Sequence, residues 1–239
     1  MLALSLGSRD VTDEGVVFDE QAAAHYEDWY QTPEGRRADG LEKASLRRLL
    51  QDAPHARSVL EMGCGTGHFT RWLGDRGLAP VGLDRSAPML ARATALNGAP
   101  LVMGDAHRLP FADGAFDLAA FVTTLEFLER PSQALAEALR VARRGLLLGV
   151  LNRWSPLGLQ RRLVGLFRPM VYDAARFYGV GELKRLLRSV AGEEARIEWH
   201  TTLFPRGWLW KQANVPWGGF VAMALLLPTG EGTAGAVSN

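Results

Sequence analysis

A run of glycines directly follows a short apolar segment near residue 60. Residues Ser58–Met62 have the apolar side chains of a buried strand, with Glu61 as the acidic exception, and Gly63, Gly65 and Gly67 come next. Where a strand turns into a helix, glycines let the backbone bend sharply and let a ligand lie against it, because no Cβ stands in the way. The pattern predicts a ligand held close to the backbone, with a tight turn that holds no ligand as the alternative.

Acidic residues stand at the ends of the next two predicted strands. Asp84 ends the apolar stretch at residues 79 to 83, and Asp105 ends the stretch at residues 100 to 104. The carboxyl ends of parallel strands open into one crevice, where an acid can accept hydrogen bonds from both hydroxyls of a ribose. The glycine turn and the two acids together favour a nucleoside-containing ligand.

The residue after the glycine turn bears on which adenosine cofactor is bound. The dinucleotide fingerprint has a third glycine at its sixth position, where this chain has His68. A sulfonium amino acid needs room for a zwitterionic tail, and Glu61 could attract its ammonium group directly or through water. The pattern favours S-adenosylmethionine, and a nicotinamide oxidoreductase is the alternative.

The elements around these residues alternate between strand and helix. Such alternation predicts an α/β fold with a parallel sheet and right-handed crossovers. An aromatic-rich helix is predicted before the sheet, over residues 18 to 30, and a second helix over residues 41 to 50. The strands are predicted at residues 58 to 62, 79 to 83, 100 to 104, 116 to 122, 145 to 151, 195 to 204 and 219 to 227.

Four segments of the chain resemble, in order, the successive motifs of class I methyltransferases, and most of all those of the type 11 group. They are VLEMGCGTGHFT from residue 59, VGLDRS from residue 81, GDAHRLPF from residue 104 and FDLAAFVTTLEFL from residue 116. The resemblance covers residues 18 to 152 well and the remainder loosely. It implies a Rossmann-like, doubly wound seven-stranded sheet, mostly parallel with an antiparallel last strand. It also implies S-adenosyl-L-methionine as the cofactor and S-adenosyl-L-homocysteine as the product.

The resemblance further implies a set of cofactor contacts. The backbone of the glycine turn would pack under the cofactor, carboxylates would hold the ribose and the adenine amino group, and the end of the fourth strand would border the methionine part. Two tyrosines of the lead-in either fold over the cofactor as a lid or pack in the core. The residues concerned are Tyr26, Tyr30, Glu61, Gly63, Cys64, Gly65, Gly67, Asp84 (ribose), Arg85 and Met89 (adenine), Asp105 (adenine amino group), Ala106, His107, Val122 and Thr123.

Glu126 is a departure from the family pattern, because many relatives carry histidine soon after the fourth strand. Its carboxylate could accept a proton, bind a cationic substrate, or serve only as a solvated or capping group. A general base is also dispensable, since methyl transfer is an in-line displacement that positioning and desolvation can accelerate. Glu126 is therefore a weak candidate for catalysis.

The stretch from residue 152 to residue 179 interrupts the alternation and is predicted to be an insertion over the substrate pocket. It combines arginines with aromatic and aliphatic residues, which fits contact with an apolar or anionic acceptor, or with a membrane surface. A solvated helix covering the pocket explains the same pattern and is favoured over membrane contact. The candidate substrate residues are Asn152, Trp154, Tyr172, Arg176, Phe177 and Tyr178.

Composition limits the remaining possibilities. The formal net charge is +1, so nothing general attracts DNA, and the histidine spacing fits no metal site. With one cysteine and no apparent leader or span, a cytoplasmic methyltransferase acting on a small molecule is expected. A non-catalytic cofactor-binding module and an RNA methyltransferase are the alternatives. The predicted organisation is an N-terminal helical lid (1–57), the cofactor-binding core (58–151), the insertion (152–179), the C-terminal part of the same fold (180–227) and a disordered tail (228–239).

Overall fold

The computed structural model describes residues 9–12, 15–96, 99–155, 175–208 and 211–228. The strands are β1 Arg9–Thr12, β2 Gly15–Phe18, β3 Ser58–Met62, β4 Ala79–Asp84, β5 Leu101–Met103, β6 Phe116–Val122, β7 Ala142–Leu151, β8 Arg196–Thr202, β9 Gln212–Ala213 and β10 Phe220–Leu226. The helices are α1 Glu20–His25, α2 Asp28–Gln31, α3 Pro33–Leu50, α4 His68–Gly74, α5 Ala87–Ala95, α6 Pro131–Val141 and α7 Val180–Ala191, with a 3₁₀ turn at Leu125–Phe127.

Eight of the described strands form one open sheet in the order β5-β4-β3-β6-β7-β10-β8-β9. The strands from β5 to β7 pair in parallel, whereas β10 is antiparallel to both of its neighbours. The prediction of a mostly parallel sheet with an antiparallel last strand is therefore confirmed. The two-residue strand β9 adds an edge that was not predicted. Because β3, β4, β6, β7 and β8 run in the same direction, their carboxyl ends share one edge, called the carboxyl edge below.

Helices cover both faces of the sheet. Leu135 of α6 and Leu183 of α7 are buried in the core on one face, and Leu46 of α3 and Trp72 of α4 in the core on the other. With both faces covered, β6 is buried along its whole length, which explains its continuous apolar sequence. The sheet is thus a rigid platform that leaves its carboxyl edge for a ligand.

The N-terminal segment differs from the single helix predicted over residues 18 to 30. Residues up to Phe18 belong to the hairpin of β1 and β2, in a region predicted to be mobile and part of a helical lid. The side chain of Asp19 accepts a hydrogen bond from the Ala22 N–H and so begins α1 one residue later. Thr32 caps α3 in the same way, with Pro33 in the first turn, so α3 begins well before the predicted residue 41.

The insertion between residues 156 and 174 and the tail from residue 229 lie outside the described residues, so their predicted character stays a prediction. Among the helices of the described ranges, none has the length and apolarity that crossing a bilayer requires.

Candidate cofactor and acceptor site

The glycine turn between β3 and α4 has a left-handed backbone at Gly63, Gly65 and Gly67, with φ of +65°, +53° and +77°. A Cβ on Gly63 would lie 2.2 Å from Cγ2 of Thr124, so the turn packs directly against the end of β6. At Gly65 the same Cβ would meet nothing nearer than the Met89 sulfur at 4.0 Å. Glycine at this position keeps a hollow beside the backbone, which fits a ligand lying against the turn.

Asp84 is bonded to the glycine turn. Its Oδ2 accepts a hydrogen bond from the Gly65 N–H at 2.8 Å, and its Oδ1 accepts one from the Ser86 N–H at 2.8 Å. Burial raises the pKa of Asp84, although these N–H groups oppose the shift. Each carboxylate oxygen has a further lone pair, so the fixed carboxylate can accept hydrogen bonds from two adjacent hydroxyls.

Asp105 lies next to Asp84 because the Gly104 N–H donates to the Asp84 carbonyl at 3.0 Å. Its Oδ1 accepts from the backbone N–H of His107 at 2.9 Å and pairs with the His107 ring Nδ1 at 2.7 Å. Burial opposes ionisation of Asp105, but these contacts outweigh it and lower its pKa. The side chain is 37% exposed, so it can accept a hydrogen bond from a ligand amino group.

Three more predicted adenine contacts lie around this pair of acids. Met89 and Ala106 are buried, and Met89 packs against Ala22 and Ala23 of α1. The positive charge of Arg85 lowers the pKa values of both Asp84 and Asp105, which places Arg85 beside them. An apolar wall and two oriented carboxylates thus meet at one end of the crevice.

Glu61 is buried beneath the glycine turn, and its Oε2 accepts a short hydrogen bond from the Thr70 hydroxyl. Burial raises the pKa of Glu61 to about 8, helped by the charge of Asp84. Cys64 is also buried, and its N–H donates to the Leu83 carbonyl at 3.1 Å. Burial raises the pKa of the Cys64 thiol, so this residue packs as a small protonated side chain.

The end of β6 adjoins the same turn. Val122 is buried, and Thr123 has a left-handed φ of +50° with its N–H bonded to the Gly149 carbonyl at 2.7 Å. Thr124 then donates its hydroxyl to the Gly63 carbonyl at 3.2 Å. The chain therefore leaves β6 across the glycine turn, as the predicted contact with the methionine part of the cofactor requires.

A charge network that sequence reasoning missed ties the N-terminal helices to the glycine turn and to α4. Glu27 contacts the Thr66 hydroxyl, Nη2 of Arg71 at 3.1 Å and Nδ1 of His68 at 3.5 Å. Asp39 of α3 holds Nε2 of His68 at 2.7 Å. No spacing in the sequence indicates these contacts, because Glu27 and Arg71 are 44 residues apart.

His68 lies at the centre of this network and stacks on Tyr30, with ring centroids 3.7 Å apart. Burial opposes protonation of His68, but the hydrogen bonds to Asp39 and Glu27 raise its pKa. The same network lowers the pKa of Glu27 to about 2 against the effect of burial. Tyr30 is buried in this contact, and the Tyr26 ring lies between Phe18 and Tyr30, at 6.4 and 6.1 Å.

The candidate substrate residues divide between the interior and the surface. Asn152 is buried, and its amide donates to the carbonyls of Pro216 and Gly218 at 2.7 and 2.8 Å, so it fastens the end of β7 to the loop before β10. Phe177 and Tyr178 are also buried. Trp154 is exposed, Arg176 is exposed and paired with Glu182 at 2.7 Å, and Tyr172 lies outside the described residues.

The loop after β8 contributes aromatic residues that were not predicted. The ring of Trp217 lies 5.3 Å from Phe204 and 4.8 Å from Trp208, and Trp208 is 47% exposed. The Asn152 bonds on either side of Trp217 place this aromatic cluster (Phe204, Trp208 and Trp217) at the carboxyl edge. Three tryptophans between residues 208 and 217 are the signal that could have indicated it.

The fold and the site together define an α/β domain that binds an adenosine cofactor. The glycine turn follows the first parallel strand, a carboxylate fit for a ribose ends the second, and another acid follows the third. Cofactors bind at this edge in open α/β sheets.

Comparison with known proteins identifies the family. Residues 60–148 match the family described as a methyltransferase domain. A solved structure of an S-adenosylmethionine-dependent methyltransferase from Thermotoga maritima, titled a possible histamine N-methyltransferase, superposes with a TM-score of 0.73 at 29% identity, over 87% of this chain and 96% of that one. An uncharacterised protein of Mycobacterium tuberculosis is 36% identical over 168 residues, 69% of this chain and 56% of the relative. A malonyl-[acyl-carrier protein] O-methyltransferase of Pectobacterium atrosepticum is 36% identical over 108 residues, 44% of this chain and 43% of the relative.

The chain belongs to the class I S-adenosylmethionine-dependent methyltransferases of the type 11 group. The fold, the cofactor and the enzyme class predicted from sequence are thereby confirmed. The chain spans little more than half the length of the mycobacterial relative, at 56%.

Proposed function

We propose that this protein transfers a methyl group from S-adenosyl-L-methionine to a small-molecule acceptor bound at the carboxyl edge. The carrying observation is the hydrogen-bonded unit of Gly65 and Asp84 beside the hollow at Gly65. This unit offers oriented acceptors for a ribose diol and leaves no room for any larger residue at the turn. When bound, the cofactor supplies an electrophilic methyl group on a sulfonium.

In this proposal the residues of the crevice divide the cofactor between them. Asp84 accepts from the ribose hydroxyls, and Asp105 accepts from the adenine amino group. Glu61, beneath the turn, attracts the ammonium group of the methionine part, and Thr123 borders that part from the end of β6. Tyr30 and Glu27 hold the N-terminal helices against the glycine turn and so limit the access of water.

The aromatic cluster supports an acceptor with an apolar body. Trp208 presents nearly half of its surface to solvent beside the carboxyl edge, and large exposed aromatic surface commonly marks a binding site. The Thermotoga protein bears the name of a methyltransferase for a small amine, which also favours a small acceptor.

The proposal is tested by incubating the protein with S-adenosyl-L-methionine carrying an isotopic label on its methyl group. Low-molecular-mass metabolites, RNA and proteins from one lysate are supplied as separate acceptor fractions. We expect label in the small-molecule fraction, and none with Asp84→Asn. Label in RNA alone would point to an RNA methyltransferase. Cofactor binding in calorimetry without transfer to any fraction would point to a non-catalytic module.

A further inference from the structure

Glu126 places a buried carboxylate at the carboxyl edge. The residue lies in the 3₁₀ turn that follows β6, is 1% exposed, and accepts a hydrogen bond on Oε1 from the Leu151 N–H at 2.6 Å. Its other oxygen, Oε2, is buried and has no hydrogen-bond partner in the structure. A buried polar atom without a partner is costly, so it indicates an occupant that completes the site.

A second buried carboxylate faces the first. Glu42 is 5% exposed and lies on the stripe of α3 that packs on the sheet, together with Ser45, Leu46 and Leu49. Burial raises the pKa of Glu126 to about 8, and the negative charge of Glu42 adds to this shift. Two buried acids close enough to repel each other favour either a bound cation or bound protons.

The other described groups around Glu126 do not supply that cation from their side chains. The Arg176 N–H donates to the Glu126 carbonyl at 2.7 Å, but the Arg176 guanidinium pairs with Glu182. Tyr178, whose hydroxyl lies 3.4 Å from the Leu125 carbonyl, has a pKa raised to about 12 by burial, so it is uncharged at neutral pH.

Glu126 is also near the place where the methyl group is expected. Thr124, two residues earlier, donates its hydroxyl to the Gly63 carbonyl of the cofactor turn. The end of β6 thus leads from the glycine turn to Glu126 within a few residues, so a group held at Oε2 lies on the acceptor side of the crevice.

We propose that Glu126, together with Glu42, binds the ammonium group of the methyl acceptor, which is therefore an amine; this inference rests on the proposed methyl transfer. A hydrogen bond from an ammonium to Oε2 gives the unpartnered oxygen a donor, and the positive charge offsets the repulsion between the two acids. Binding expels the proton that Glu126 holds at neutral pH.

The carboxylate also serves the chemistry. The acceptor's ammonium passes one proton to Oε2, and the freed lone pair of the nitrogen forms the new N–C bond. The electron pair of the breaking S–C bond stays on sulfur as a neutral thioether. The product is an N-methylammonium ion, and the proton on Oε2 leaves to solvent before the next acceptor binds.

The experiment uses calorimetry on the full chain saturated with S-adenosyl-L-homocysteine, which binds without turnover. The probes are butylamine, 2-phenylethylamine and tryptamine, each compared at neutral pH with the alcohol that carries a hydroxyl in place of the amine. We expect at least one amine to bind about tenfold or more tightly than its alcohol, as a charge-assisted hydrogen bond to a buried group implies. Binding of that amine should release close to one proton, measured in buffers of different ionisation enthalpy.

Glu126→Gln should abolish both the preference for the amine and the proton release, and Glu42→Gln should reduce the preference. Glu129→Gln is the matched control, because Glu129 is an exposed acid three residues further along. If every amine binds no better than its alcohol in the unaltered protein, the inference is overturned whether or not the variants fold. Failure of S-adenosyl-L-homocysteine itself to bind would instead contradict the proposed function.

Discussion

The N–H of Gly65 donates to Oδ2 of Asp84 across 2.8 Å, so the glycine turn of β3 and the acid that ends β4 form one hydrogen-bonded unit. The Ser86 N–H holds the other oxygen of the same carboxylate. A ligand lying on the turn therefore meets a carboxylate whose orientation is fixed before binding. Such preorganisation reduces the free energy that binding spends on ordering the site.

Asp84→Asn tests this unit. The amide nitrogen of the variant must face either the Gly65 N–H or the Ser86 N–H, so one donor meets another donor. The variant also offers the ribose one charged acceptor fewer. We expect binding of S-adenosyl-L-homocysteine to weaken by about 2–4 kcal/mol in calorimetry. Asp75→Asn, at the exposed C-terminal end of α4, should leave the affinity unchanged, and an unchanged affinity in Asp84→Asn would contradict the ribose assignment.

Gly65→Ala tests the hollow beside the turn. The φ of +53° at Gly65 makes any side chain cost about 1–2 kcal/mol of folding free energy. Gly77→Ala is the matched control, because its φ of +85° imposes the same backbone strain while its Cβ meets nothing within 4 Å. We expect similar losses of thermal stability in the two variants but a loss of cofactor affinity in Gly65→Ala alone. Equal cofactor affinities would show that the cofactor does not lie against Gly65.

The positions of the carboxylates could be predicted because each follows an apolar strand, and strand ends in a parallel sheet meet at one edge. The course of the N-terminal segment could not be predicted in the same way. Its helices begin where the side chains of Asp19 and Thr32 cap them, and aromatic content alone gives no indication of such breaks. Glu42 likewise has the type of a solvated helix residue, and only the packing of α3 on the sheet buries it.

Glu27→Gln tests the network that holds the N-terminal helices against the glycine turn. The variant loses the ion pair with Arg71 and the charge that faces His68. We expect α1 and α2 to open more readily by roughly 1.5–3 kcal/mol, measured as faster amide exchange in residues 20 to 31. Glu20→Gln, an exposed acid of α1, is the control. Unchanged exchange in Glu27→Gln would show that the network does not hold these helices.

The pH dependence of the same exchange follows from two opposite shifts. Glu27 has its pKa lowered from 4.5 to about 2, so its contribution is present above 4.5 and is lost as the pH falls toward 2. His68 has its pKa raised from 6.5, so its contribution is present below 6.5 and is lost as the pH rises through the raised value. Protection factors in residues 20 to 31 should therefore be highest in mildly acidic solution. A steady increase toward alkaline pH would contradict the role of His68.

Glu61 links cofactor binding to a proton. Its pKa in the folded chain is about 8, raised from 4.5 by burial, so the folded protein holds a proton at neutral pH that the unfolded chain has lost. Ionisation of Glu61 therefore lowers the stability of the protein as the pH rises from 4.5 to about 8. An ammonium group that approaches Glu61 favours the ionised carboxylate, so binding of the cofactor should expel this proton.

We expect S-adenosyl-L-homocysteine to release close to one proton on binding at neutral pH, measured by calorimetry in buffers of different ionisation enthalpy. Glu61→Gln has nothing to release, so its binding enthalpy should be the same in every buffer. The variant also keeps a partner for the Thr70 hydroxyl and loses the cost of ionisation, so its stability relative to the unaltered protein should increase between pH 4.5 and 8. Equal proton release in the two proteins would mean that the ammonium group binds elsewhere, and the methionine part of the cofactor would have to be placed without Glu61.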